Sequence, residues 1–200
     1  MTDLPATLPY CHIDAFAARP FTGNQAAVMP LEAWLDDSVL QAIGEENNFA
    51  ETAFIVPLDG DEADYELRWF TPAVEIALCG HATLAAGHYV FENGFAGDAV
   101  RFLTRKAGVL SVTRNGDMLS LSLPAYPPSP APLPDWTSLL GGLPSEYHAY
   151  PGRYNVLLFD HADDVLALQP DFKALAAMGD DQFICTAPGV DTDVLSRVFV

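Results

Sequence analysis

The chain has 200 residues, half of them hydrophobic, and a net charge of −18 with only nine Lys and Arg. That balance excludes a nucleic-acid or anionic-membrane surface as the expected partner, and no apolar run reaches the ~18 residues of a membrane span. Three cysteines at wide spacing, Cys11, Cys79 and Cys185, form no disulfide framework and no zinc pattern, which points to a reducing compartment. Residues 1–9 lack the basic start and apolar centre of a leader, so the expected location is cytoplasmic.

In chain order, Tyr10–Phe16 reads as a strand, and Arg19–Asn24 is a loop rich in turn residues. Ala26–Met29 is a short strand closed by Pro30. Leu35, Val39, Leu40 and Ile43 keep helical spacing, which predicts a helix over Leu31–Asn47. Glu51–Val56 and Tyr65–Phe70 read as strands. Cys79-Gly80-His81 then opens an alanine-rich central helix, Ala82–Phe91, with Gly80 expected to permit a tight turn. The unpaired amides and positive dipole end of such a helix suit a carboxylate, with the His81 imidazole beside it. Val100–Thr104, Gly108–Arg114 and Met118–Leu123 read as strands, and Asn115-Gly116 signals a hairpin.

Pro124–Pro134 holds six prolines in eleven residues and reads as an extended linker. It divides the chain into an N-terminal domain, residues 1–123, and a second domain, residues 135–200. Beyond it the chain repeats itself at an offset of 129. Gly23 meets Gly152, Phe54-Ile55 meets Phe183-Ile184, Arg68 meets Arg197 and Phe70 meets Phe199. We read two copies of one unit. The counterpart of Gly80-His81 falls beyond Val200, so the second domain reads as an incomplete copy and the chain as the front of a longer protein or a truncated gene product.

The segments Asp14-Ala15-Phe16, Gly23-Asn24-Gln25-Ala26-Ala27-Val28, Asn48-Phe49-Ala50-Glu51-Thr52-Ala53-Phe54, Phe70-Thr71-Pro72 and Leu78-Cys79-Gly80-His81-Ala82-Thr83 resemble the phenazine-biosynthesis PhzF-like family. Gln25 stands where many relatives have Pro. The resemblance implies an α+β diaminopimelate-epimerase-like fold: two pseudo-symmetric domains, each a sheet wrapped around a central helix, with the site in the cleft between them. It implies an isomerase that shifts a proton on a small anionic metabolite without a cofactor or metal. The family's characterised member acts on a dihydro-hydroxyanthranilate. Glu51 is the implied acid–base group, and Gly80 and His81 line the site. A further family segment, Asp followed by Thr-Gly-Ser, would lie beyond Val200. A homodimer is plausible from the family alone.

Proton transfer next to a carbonyl needs a group that removes a proton and returns it elsewhere, and a partly desolvated carboxylate suits that work. The residues around Glu51 are apolar enough to keep it dry, although a glutamate at a strand start is ordinarily solvated. Asn24 is a secondary binding candidate whose place after Gly23 equally fits a turn. Asp14 equally fits a brace. Cys79 is a possible reactive thiol, since a helix N-terminus lowers a thiol pKa, and it would support a rival reading as an amino-acid epimerase, but a buried small residue is the favoured reading because Gly80-His81 and Glu51 fit the isomerase branch better. A non-catalytic binding protein of the same fold is the alternative from another class.

Overall fold

The computed structural model describes residues 7–150 and 153–200. Gly152 of the repeat and the first six residues, scanned above for a leader, lie outside the described residues. The chain divides into two compact units, the first ending at Pro124 and the second beginning at Ala125. Among the described residues no helix is long and apolar enough to cross a membrane.

Unit 1 is one eight-stranded sheet with a helix on each face. Strands β1 (Cys11–Ala15), β2 (Asn24–Pro30), β3 (Glu51–Pro57), β4 (Tyr65–Phe70), β5 (Glu75–Ile76), β6 (Ala99–Thr104), β7 (Val109–Asn115) and β8 (Met118–Ser122) run in the order β1-β2-β3-β4-β6-β7-β8, with β5 paired to β4. Helix α2 (Gly80–Glu92) packs against β1, β2, β3, β7 and β8, so the sheet curls around it. Its Ala82, Ala85, Ala86, Val90 and Phe91 join Ala26, Val28, Ala53, Ile55, Leu67, Trp69 and Val112 in the main core. The small residues let helix and sheet approach closely. At Gly87 a Cβ would lie 2.7 Å from a Val112 methyl, closer than side chains tolerate.

The alternate residues of the same strands, Met29, Phe54, Val56 and Phe70, face the other way and pack with Leu31 and Leu40. Strand β3 is therefore covered on both faces, which is why its sequence is continuously apolar rather than alternating. Helix α1 itself spans Asp37–Asn47, six residues shorter at its start than the spacing predicts. The amide of Leu31 donates to the Ile55 carbonyl at 2.8 Å, prolonging the sheet contact. The indole of Trp34 then donates to Glu66 Oε2 at 2.7 Å and stacks on the Arg68 guanidinium. These tertiary contacts hold residues 31–36 off the helix.

Arg68 is the unexpected centre of that face. Its side chain is 3% exposed and makes a bidentate pair with Glu75, both bonds 2.8 Å, while its third nitrogen lies 2.9 Å from Asp37. The guanidinium holds the Glu75 and Asp37 carboxyls below the usual carboxylate range. Arg105 adds a second cation, 3.2 Å from Glu75.

Unit 2 carries strands β9 (Ser129–Ala131), β10 (Glu146–Tyr150), β11 (Tyr154–Leu158), β12 (Gln182–Pro188) and β13 (Val194–Phe199) in the order β13-β12-β11-β10-β9. The proline segment read as a linker thus contributes β9. Pro130 sits there opposite His148 on an edge strand, where a missing N–H does no harm. Where α1 lies between β2 and β3 of unit 1, unit 2 has two short helices between β11 and β12, α3 (Ala162–Ala167) and α4 (Phe172–Ala176), parted at Pro170. Among the described residues unit 2 has no counterpart of α2.

The repeat is visible in the pairing. In each unit an antiparallel pair, a parallel pair and an antiparallel pair succeed one another: β1β2, β2β3, β3β4 and β10β11, β11β12, β12β13. Arg197 repeats Arg68, its guanidinium 5.0 Å from the ring two residues on, as Arg68 lies over Phe70. It donates to the carbonyls of Val165, Leu166 and Leu168 where Arg68 meets Asp37. The offset of 129 misplaces one strand, however. Phe199 pairs with Phe183, whereas Phe70 pairs with Thr52, so Phe183 corresponds to Thr52 and not to Phe54. Antiparallel register depends on the turn between the strands, which a gapless comparison ignores.

Candidate active site

Glu51 is the first residue of β3, and its place is fixed from three sides. Asn48 ends α1 in the left-handed conformation, φ 52° and ψ 31°, with its amide on the Gly44 carbonyl. Asn tolerates that conformation. The Asn47 amide donates to the Thr52 hydroxyl at 3.1 Å, clamping the turn across Glu51. The parallel register sets Glu51 opposite Ala26, one residue after Gln25. Helix α2 begins at the same end of the sheet, and the Gln25 carbonyl reaches His81 Nε2 at 3.3 Å.

Three functional groups therefore converge. Glu51 Oε2 lies 3.1 Å from His81 Nε2, with the two side chains 17% and 11% exposed. That contact is too poorly aligned to be a hydrogen bond, so Oε2 is buried without one. Such an oxygen is costly unless something else uses it. His81 Nδ1 lies 3.4 Å from Cys79 Sγ. The buried Thr83 hydroxyl holds the Cys79 carbonyl at 2.5 Å and fixes the residue that precedes the helix.

Helix position would lower the Cys79 thiol pKa, but the structure reverses this. Burial first, and the Glu51 carboxylate second, push it up to about 12, against the backbone N–H groups of Ala82 and His81 that face the sulfur. Cys79 is therefore a buried, protonated thiol rather than a thiolate at neutral pH. Those same two amides are turned toward the sulfur, which takes up part of the helix terminus expected to hold a substrate carboxylate.

The structure does not bring Asn24 into the cluster. It is exposed at the start of β2, opposite Ala15, with no side-chain hydrogen bond among the described residues. Gly80 is not in the left-handed region, and a Cβ there would meet only leucine side chains at 3.4 Å or more. The tight-turn reason for a glycine thus belongs elsewhere, to Gly23, where a Cβ would lie 2.4 Å from the Ala15 carbonyl. Asp14 is a brace: its carboxylate accepts from the Phe21 amide at 2.6 Å and closes the β1–β2 loop.

Sequence reasoning missed Gln25, whose contribution is a backbone carbonyl and leaves no side-chain signal. It also found no metal pattern. Yet Glu51, Cys79 and His81 present ligand atoms all within 4.8 Å of one another, a carboxylate–thiol–imidazole set of the kind zinc takes. A cation there would first have to displace the thiol proton. A separate concavity of about 790 Å³ opens beside α2 and is lined by His12, Phe16, Phe21, Leu84, His88 and Met118; none of the three clustered residues borders it.

Comparison with known proteins bears on this site. The family described as phenazine biosynthesis-like protein matches residues 13–200. An uncharacterised isomerase of Pseudomonas aeruginosa is 46% identical over 188 residues, covering 94% of this chain and 71% of that protein. A second from the same organism is 42% identical, over 96% of this chain and 72% of that one. The crystal structure of a PhzF-family protein from Enterococcus faecalis superposes with a TM-score of 0.84 at 40% identity, covering 96% of this chain and 73% of that one. A hydroxyproline epimerase from Agrobacterium vitis, at 11% identity and a TM-score of 0.53, shares the fold. With a family match over nearly its whole length and isomerases among its relatives, the chain belongs to the phenazine biosynthesis-like (PhzF) family of isomerases.

Proposed function

We propose that this isomerase moves a proton on a small anionic metabolite, with Glu51 as both acid and base and without a cofactor. The observation that carries the reading is the buried Glu51 Oε2, without an aligned hydrogen bond, 3.1 Å from the His81 imidazole. Its carboxylate takes a proton from a substrate carbon, and the electron pair left behind spreads into the adjoining conjugated system. The same carboxyl returns the proton to another carbon of that system, so nothing is oxidised or reduced. The His81 N–H stabilises negative charge as it develops. Gly80, half-buried at the first turn of α2, and Asn24 remain proposed as substrate-binding positions.

The family resemblance supports Glu51 in this role. Against the epimerase rival stands the Cys79 thiol, whose pKa of about 12 leaves almost no thiolate at neutral pH. The test is solvent exchange. Dihydro-hydroxyanthranilate and a panel of small conjugated carboxylates are incubated with the protein in D2O and followed by NMR. Glu51→Gln is expected to lose exchange by on the order of 10²-fold or more with the fold intact. Exchange at the wild-type rate in that variant overturns the assignment.

A further inference from the structure

His81 Nε2 faces two oxygens, the Gln25 carbonyl at 3.3 Å and Glu51 Oε2 at 3.1 Å. A backbone carbonyl only accepts, so the hydrogen bond to Gln25 requires a proton on Nε2. A neutral imidazole with its proton there carries a lone pair on Nδ1, which then needs a donor. The group facing Nδ1 is the Cys79 sulfur at 3.4 Å.

We propose that Cys79 is a positioning residue: its S–H donates to His81 Nδ1 and holds the imidazole as the Nε2–H tautomer, aimed at the Gln25 carbonyl and at Glu51. Burial and the Glu51 carboxylate keep the thiol protonated, as a donor must be, and Nδ1 competes with that carboxylate, itself a hydrogen-bond partner of the thiol, for the one S–H. The sulfur is itself held in place. The amides of His81 and Ala82 face it, and the Thr83 hydroxyl and amide bond the Cys79 carbonyl at 2.5 and 3.3 Å.

The consequence for chemistry rests on the reading of Glu51 as the proton carrier; the tautomer does not. A ring held with its proton on Nε2 gives that proton to the Gln25 carbonyl and sets no lone pair against the Glu51 carboxylate 3.1 Å away. The opposite tautomer would set a lone pair against both oxygens. This gives a cysteine at the helix start a role in an enzyme that does not use it as a base. The thiol orients the imidazole, and the imidazole meets the reacting groups.

The experiment is long-range proton–nitrogen NMR on protein labelled with ¹⁵N-histidine, with His81 assigned by comparison with His81→Gln. At neutral pH the wild type is expected to show a protonated Nε2 and an unprotonated Nδ1. Cys79→Ala removes the donor and is expected to raise the share of the Nδ1–H form by roughly fivefold, the loss of one hydrogen bond. Cys79→Ser supplies a hydroxyl and is expected to restore the wild-type ratio. The proposal is overturned by a wild-type ring protonated on Nδ1, by an unchanged ratio in Cys79→Ala, or by a change that Cys79→Ser does not reverse. Signal dispersion in the same spectra reports that each variant is folded. The exchange rate of Glu51→Gln reads the proton carrier alone, so failure of either reading is separately visible.

Discussion

Replacing Glu75 by glutamine tests the Arg68 cluster, and its cost follows from the geometry. The guanidinium is 3% exposed and donates two charge-assisted hydrogen bonds to Glu75, each 2.8 Å. Glutamine keeps one acceptor, loses the charge and turns an amide N–H₂ toward a cation. Asp37 stays at 2.9 Å, but its side chain is 65% exposed and compensates little. Arg105, 3.2 Å from Glu75, keeps only the exposed Asp37 carboxylate, 3.5 Å away, and shares it with Arg68. Loss of one charge-assisted bond, with a buried cation left only an exposed counter-charge, is worth about 2–3 kcal/mol. Urea unfolding followed by tryptophan fluorescence reads this, as a midpoint lower by on the order of 1 M or more. The effect has a pH signature. Arg68 lowers the Glu75 pKa below its ordinary 4.5 in the folded protein. The pair's contribution is therefore complete above 4.5 and fades as pH falls through the lowered folded value. Protonated Glu75 resembles glutamine, so the two proteins should converge in stability as pH falls through the lowered folded value and differ fully at pH 7. A difference under about 0.5 kcal/mol at pH 7, or one that does not shrink on acidification, refutes the reasoning.

Other expected outcomes are equally direct. Gly87→Ala forces a Cβ to 2.7 Å from Val112 and should destabilise by about 1–3 kcal/mol of overpacking, reduced by the better helix propensity of alanine, in the same unfolding assay. Iodoacetamide at pH 7.5, mapped by mass spectrometry, should label half-buried Cys11 ahead of Cys79, and Cys79 labelling should rise about tenfold per pH unit toward 12. Early quantitative labelling of Cys79 at neutral pH would contradict its protonated state. Asp171→Ala removes the carboxylate that accepts from the Ala174 amide at 3.0 Å and should cost about 1 kcal/mol at the start of α4, read as faster amide exchange there.

Much of this protein is legible in its sequence because much of it is set locally. The span of β4 and the start of β3 at Glu51 follow from spacing and turn residues a few positions apart, while α2 begins at Gly80, two residues before the expected Ala82. The hairpin signal at Asn115-Gly116 finds its turn, although the pairing of Asn115 with Met118 moves the loop one residue on, to Gly116-Asp117. The family motifs likewise carry the membership of the chain and single out Glu51 and His81 together. The order of strands in the repeat survives a gapless comparison because each copy conserves the sequence of its elements.

What only the tertiary structure decided concerns groups distant in sequence. Residues 31–36 have helical spacing, but Trp34 is drawn to Glu66 and Arg68 on β4, and that long-range pull outweighs a weak local preference. Pro130 lies in a strand because β10 offers an edge, a fact no composition reveals. Gly80 and Gly87 are both glycines of one helix, yet only Gly87 meets a strand backbone's side chain too close for a Cβ. The state of Cys79 turns on the same point. Its position at a helix start argues for a low pKa, while burial and the arrival of Glu51 from β3 raise it. Sequence determines which groups the chain brings and along which elements; folding determines which of them face each other, and there the burial of charge overrides the local dipole.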